Sequence, residues 1–177
     1  NDGSTVNEYA LRMATSVSWI DASKLAIGSL SDPISTLRIW DINTGEETVI
    51  NTLGAIWDIA TNNSGDILAL ASRGISLIPT SSTTINQTFN TATDDFVFEV
   101  AWSSNDQYVA AGNSDGSIEI WNTTLSQREP NVMIQAGNGV LESYFDDRVA
   151  AIQFRNNDTQ IVSITGEGIV RLWDVQT

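Results

Sequence analysis

One pattern recurs four times along these 177 residues and constrains the fold more than any single motif. The first unit runs Val17-Ser18-Trp19, Lys24-Leu25-Ala26-Ile27-Gly28, then Leu37-Arg38-Ile39-Trp40-Asp41. The second runs Trp57-Asp58-Ile59-Ala60-Thr61, Asp66-Ile67-Leu68-Ala69-Leu70, then Ile75-Ser76-Leu77-Ile78. The third runs Phe98-Glu99-Val100-Ala101-Trp102, Gln107-Tyr108-Val109-Ala110-Ala111-Gly112, then Ile118-Glu119-Ile120-Trp121-Asn122. The last runs Ala150-Ala151-Ile152-Gln153-Phe154, Gln160-Ile161-Val162-Ser163, then Val170-Arg171-Leu172-Trp173-Asp174. Aligning Trp19, Thr61, Trp102 and Phe154 gives steps of 42, 41 and 52 residues. A chain with this self-similarity folds as an array of equivalent units.

Each unit holds apolar or alternating runs of about five residues, the length of a strand. Polar clusters separate them, among them Asn62-Asn63-Ser64-Gly65-Asp66, Ser103-Ser104-Asn105-Asp106 and Arg155-Asn156-Asn157-Asp158; such clusters form turns. A more polar fourth strand follows, as in Glu46-Glu47-Thr48-Val49-Ile50 after the Asn43-Thr44-Gly45 turn. Helical periodicity never persists. Four strands per roughly forty residues, repeated, spell an all-β fold of propeller blades. The units fall at about residues 10–51, 52–92, 93–145 and 146–177 of one propeller domain. The long last step reflects the 129–145 stretch, which reads as holding an extended outer strand with Val132-Met133-Ile134. Gly137-Asn138-Gly139 within it lacks the strand–helix setting and the lysine of a phosphate loop.

Leu37-Arg38-Ile39-Trp40-Asp41 and Val170-Arg171-Leu172-Trp173-Asp174 resemble the closing motif of WD-repeat (tryptophan–aspartate) propellers. Asp115-Gly116-Ser117-Ile118-Glu119-Ile120-Trp121 resembles the turn leading into that motif, and the resemblance spans about residues 10 to 177. It implies four four-stranded blades and a scaffold that binds proteins through its loop faces. The chain departs from the family pattern. Members often carry a hydrogen-bonded Trp, Ser/Thr, His and Asp tetrad; with no histidine, none forms here. Ala111 stands at the serine position of the third unit, and only Ser163 in the fourth fits it. Glu167 replaces the turn acid Asp115, and the second unit ends in Ile78-Pro79. The blades are therefore expected to rely on tryptophan packing, with Trp19, Trp40, Trp57, Trp102, Trp121 and Trp173 in the core.

Family members usually have about seven blades. Four units then read as an open arc of a larger propeller, with uncovered end faces prone to self-association. A four-bladed ring closed by an outer strand near Thr5 to Tyr9 is the alternative. The polar opening Asn1-Asp2-Gly3-Ser4-Thr5, without an initiator methionine, suggests an excised or processed segment rather than a targeting peptide.

Composition narrows the chemistry. With no cysteine and no histidine, there are no disulfides, no thiolate or imidazole metal sites and no serine–histidine triads. A net charge of −14 argues against nucleic acid and against anionic membranes; no apolar run is long enough for a membrane helix. Abundant Ser, Thr and Asn beside a single lysine, Lys24, favour an extracytoplasmic protein. Four Asn-x-Ser/Thr sequons begin at Asn62, Asn86, Asn122 and Asn157; they carry meaning only in a eukaryotic secretory setting.

Two carboxylate groupings stand out. Asp94-Asp95 and Asp146-Asp147 are separated by the repeat step of 52 and occupy equivalent loops, on the face that carries the Asp115 and Glu167 turns. This rim reads either as a docking patch for a basic protein, or a weak Ca²⁺ site, or as a solvated acidic face. Asp58 and Glu99 are equivalent on innermost strands and are candidates to line the central channel. A channel pair of carboxylates would suit glycoside hydrolysis, or simply hold water. No residue is assigned as catalytic and no cofactor is called for. The expected role is a non-catalytic scaffold with a protein partner; a propeller glycosidase or a carbohydrate- or cation-binding module is the alternative.

Overall fold

The structure is a computed structural model that describes Glu8, Leu11 and residues 13–30, 36–52, 54–91, 96–125, 130–137 and 147–175. The described residues form fifteen strands in four antiparallel meanders and no helix. Sheet one holds β1 (Ala14–Trp19), β2 (Lys24–Ser29), β3 (Thr36–Asp41) and β4 (Glu47–Asn51). Sheet two holds β5 (Asp58–Thr61), β6 (Ile67–Ala71), β7 (Ile75–Pro79) and β8 (Gln87–Phe89). Sheet three holds β9 (Val97–Trp102), β10 (Tyr108–Asn113), β11 (Ser117–Asn122) and β12 (Val132–Gln135). Sheet four holds β13 (Val149–Arg155), β14 (Gln160–Thr165) and β15 (Val170–Asp174). The expected outer strand of the 129–145 stretch is β12.

The first strands lie side by side, β1 against β5, β5 against β9 and β9 against β13. The sheets thus radiate from one axis, as the repeat alignment implied, but they do not close into a ring. Second strands such as β6 and β10 have a sheet on either side. That explains their unbroken small and apolar sequences, Ile67-Leu68-Ala69-Leu70-Ala71 and Val109-Ala110-Ala111-Gly112.

Three cores fill the three gaps. Between sheets one and two lie Ala26, Leu37 and Ile50 against Ile56, Ile59 and Leu68. Between two and three, Phe89 stacks on Trp121 at 5.0 Å between centroids. Between three and four, Ile118 and Ile120 meet Ile152, Phe154 and Ile161. Trp40 and Trp121 are buried, while Trp57, Trp102 and Trp173 are partly buried. Trp19 departs from expectation: it is exposed, and among the described residues no sheet packs on that side of β1.

The fourth sheet forms one bond of the tetrad that WD-repeat propellers often carry. Trp173 Nε1 donates to Ser163 Oγ at 2.9 Å. In the third sheet Ala111 takes the serine position, paired with Glu119 as Ser163 is with Arg171. Trp121 Nε1 is correspondingly buried with no hydrogen-bond partner.

Candidate functional site

The innermost strands of neighbouring sheets are not paired with one another, and polar side chains bridge them. Asp58, at the start of β5, stands between β1 and β9. Its Oδ1 accepts from Ser16 Oγ at 2.7 Å and its Oδ2 from the Val100 amide at 3.1 Å. Ser16 Oγ in turn accepts from the Ile59 amide at 3.1 Å. Two residues further along, Ser18 Oγ accepts from the Thr61 amide, and Trp102 Nε1 donates to the Ala60 carbonyl. Asp58 therefore has both oxygens engaged in bracing three strands.

Glu99, its repeat equivalent, is in a different situation. Burial, and then the nearby Asp58 charge, raises its pKa to about 8. A carboxyl so placed holds a proton near neutrality. Beside it, each Asp58 oxygen accepts one hydrogen bond from the frame.

On the opposite end of the sheets, the first hairpin turns interlock. Asp106 accepts from the Asn63 and Ser64 amides, the Asn63 side-chain amide and the Ser64 hydroxyl, at 2.7–3.0 Å. Asp158 likewise accepts from the Ser104 amide and hydroxyl at 2.8 and 2.7 Å. Burial alone would raise the pKa of Asp106, but these hydrogen bonds outweigh it and hold it below the ordinary range. The sequence marks these clusters as turns and points to tryptophan packing between the sheets. Hydrogen bonds to Asp106 and Asp158 join the sheets beside that packing. The legible signal was an acid at the same turn position of two units.

The rim residues scatter. Asp94, Asp95 and Asp146 lie outside the described residues. Asp147 is only 3% exposed, so its carboxylate is not offered to solvent; it packs so closely on Gly137 that a methyl group there would stand 2.5 Å from its Oδ1. Asp115 caps its own turn, with Oδ1 accepting from the Ser117 amide and hydroxyl. Glu167 is exposed. The same face carries a feature that the sequence reading missed. Trp57 packs edge-on against Phe96 and at 4.8 Å from Phe98, with Arg73 over the Phe96 ring and Arg148 over the Phe98 ring. Two of the chain's eight bases thus sit over this aromatic cluster. Among the described residues no group of three or more Asp or Glu side chains is placed to hold a metal ion. No helix of the described residues is long and apolar enough to cross a membrane.

Comparison with known proteins agrees with this architecture. Residues 83–122, which span β8 to β11, match the family model "WD domain, G-beta repeat". A search of curated proteins by sequence finds no match. Among solved structures, a chain of the "Crystal Structure of Mitotic Checkpoint Complex" superposes with a TM-score of 0.73 at 15% identity. The match covers 90% of this chain and 46% of that one, so this chain spans about half the length of that relative. The repeat match and the superposition agree: the chain carries a WD repeat and has the fold of a WD-repeat β-propeller, here an open arc of four sheets.

Proposed function

We propose that the chain is a non-catalytic scaffold whose loop faces dock a protein partner with a basic surface. Propellers of this kind serve in general as interaction scaffolds rather than enzymes, and the superposed chain belongs to a protein complex. The single observation that carries the reading is the engagement of Asp58. The carboxylate best placed for chemistry spends both oxygens on Ser16 and Val100. Its partner Glu99, with its raised pKa, stands beside an acid that is fixed in the frame between three strands. A net charge of −14 supplies the attraction for a basic partner. Asp94, Asp95, Asp146 and Glu167 are the proposed contacts, with Asp115 contributing at their edge; Asp147 is a packing residue.

The test is capture of a basic protein by the immobilised chain, followed by titration at rising ionic strength. Affinity should fall steeply with salt, since exposed charges more than ~10 Å apart are screened near 0.1 M. Replacing Asp94, Asp95, Asp146 and Glu167 by Asn or Gln should flatten that dependence. Turnover on a glycoside panel that disappears in Asp58→Asn would overturn the reading in favour of the hydrolase alternative.

A further inference from the structure

The two ends of the arc present repeat positions that are buried at every internal junction. On the last sheet, Val170 is 63% exposed, whereas its equivalents Leu37, Ile75 and Ile118 are fully buried. On the first, Val17 is 61% exposed, whereas its equivalents Ile59, Val100 and Ile152 are buried. Leu172 and Trp19 extend these two bare faces.

The internal junctions also follow a size rule. Each places a small residue of one sheet's second strand against a branched residue at the entrance of the next sheet's first strand. Gly28 lies under Ile56, and a methyl group on it would stand 2.6 Å from Ile56 Cγ2. Gly112 lies under Val149, with the corresponding distance 2.7 Å. Ala71 shares a core with Val97. The strand registers place Ile164 at the position of Gly112 and Ala14 at that of Val97 and Val149. At the two ends the sizes are therefore reversed: the large residue is on the second strand, and the small one is at the entrance. Either face would mismatch a sheet built like those inside the chain. They match each other.

We propose that the β13–β15 face of one copy packs on the β1–β4 face of a second copy, head to tail, with Ile164 over Ala14. Two such contacts join the four sheets of each copy into a ring of eight, within the ~4–8 of this architecture. Trp19 fits the same geometry. Its equivalent Trp102 donates Nε1 to the Ala60 carbonyl of the preceding sheet. By repeat equivalence Trp19 donates to the Gln153 carbonyl of the second copy. The inference is independent of the partner proposed above, and the two respond oppositely to salt. Two copies at −14 repel, so association should strengthen as ionic strength rises.

The test is the mass of the 177-residue chain in solution by light scattering, at low and high salt. A particle of twice the chain mass is expected. Ala14→Ile sets two large residues against each other and should return it to the monomer; both positions are on the exposed faces, so the single chain still folds, which circular dichroism checks. Adding Ile164→Gly recreates the Gly28–Ile56 combination and should restore the dimer. A monomer under all conditions would overturn the proposal. So would a dimer indifferent to Ala14→Ile, or a double variant that fails to reassociate.

Discussion

Asp106 and Asp158 stand one repeat apart at the same left-handed turn position, with φ of 60° and 65°, and each reaches back to hold the turn of the preceding sheet. The second unit has Gly65 there, with φ of 75°. Glycine adopts this conformation without strain, whereas an aspartate tolerates it at some cost. The third and fourth sheets thus carry a mildly strained turn whose side chain clasps its neighbour.

Removing the clasp should cost more than the relief of strain returns. Asp106→Ala is expected to destabilise by ~1–2 kcal/mol, since hydrogen bonds to a charged group are worth ~1.5–3 and this one is partly solvent-screened. Asp106→Gly should cost less than Asp106→Ala, because glycine removes the strain while losing the same bonds. Urea unfolding of the two variants measures both; equal stability of all three chains would show that the clasp contributes nothing.

The Trp173–Ser163 bond and the unpartnered Trp121 indole give a reciprocal pair. Ser163→Ala should cost ~1 kcal/mol, and Ala111→Ser should gain about as much by giving Trp121 Nε1 an acceptor. Thermal melts of the two variants decide it. A destabilised Ala111→Ser would mean that the site has no room for the hydroxyl.

Glu99 should impose a pH dependence opposite in sign to that of most acids. Its folded pKa of about 8 lies above the ordinary 4.5, so between these values the native state binds more protons than the unfolded one. Stability contributed by this group is full below about pH 4.5 and is lost as pH rises through about 8. Glu99→Gln should therefore be close to neutral at pH 5 and stabilising at pH 8.5. The gain should be ~1–3 kcal/mol, discounted from the full shift because the group is not wholly buried. Denaturant melts at the two pH values test this; the same effect at both would contradict the assignment. At the acid end, Asp106, Asp66 and Asp21, all held below their ordinary range by hydrogen bonds, act in the usual direction, and their contribution is lost as pH falls.

The repeat made the architecture legible, because strand length, turn chemistry and spacing all recur. The Ser163 position was readable for the same reason, since Trp173 marks the register. The bracing role of Asp58 was not. Period and burial place an acid on an inner strand, but its partners Ser16 and Val100 come from sheets about forty residues away on either side. Asp147 misled for a related reason. An Asp-Asp pair reads as surface, yet Asp147 is drawn under Gly137 and Gly116, a close approach that only the folded loops create. Trp19 shares its repeat position with Trp102, yet it is exposed, and equivalence alone does not say which sheets flank a given unit.

The most direct check on the architectural role of the inner carboxylates is amide hydrogen exchange in Asp58→Asn. The substitution keeps size but replaces one acceptor oxygen by a donor, so the bonds from Ser16 Oγ and the Val100 amide cannot both persist. The expected result is faster exchange at Val100, and also at Ile59, whose amide bonds the Ser16 hydroxyl that Asp58 orients. A global loss of ~1–3 kcal/mol should accompany it. Unchanged protection at both amides, with unchanged stability, would contradict a bracing role and return Asp58 to the list of groups free for chemistry.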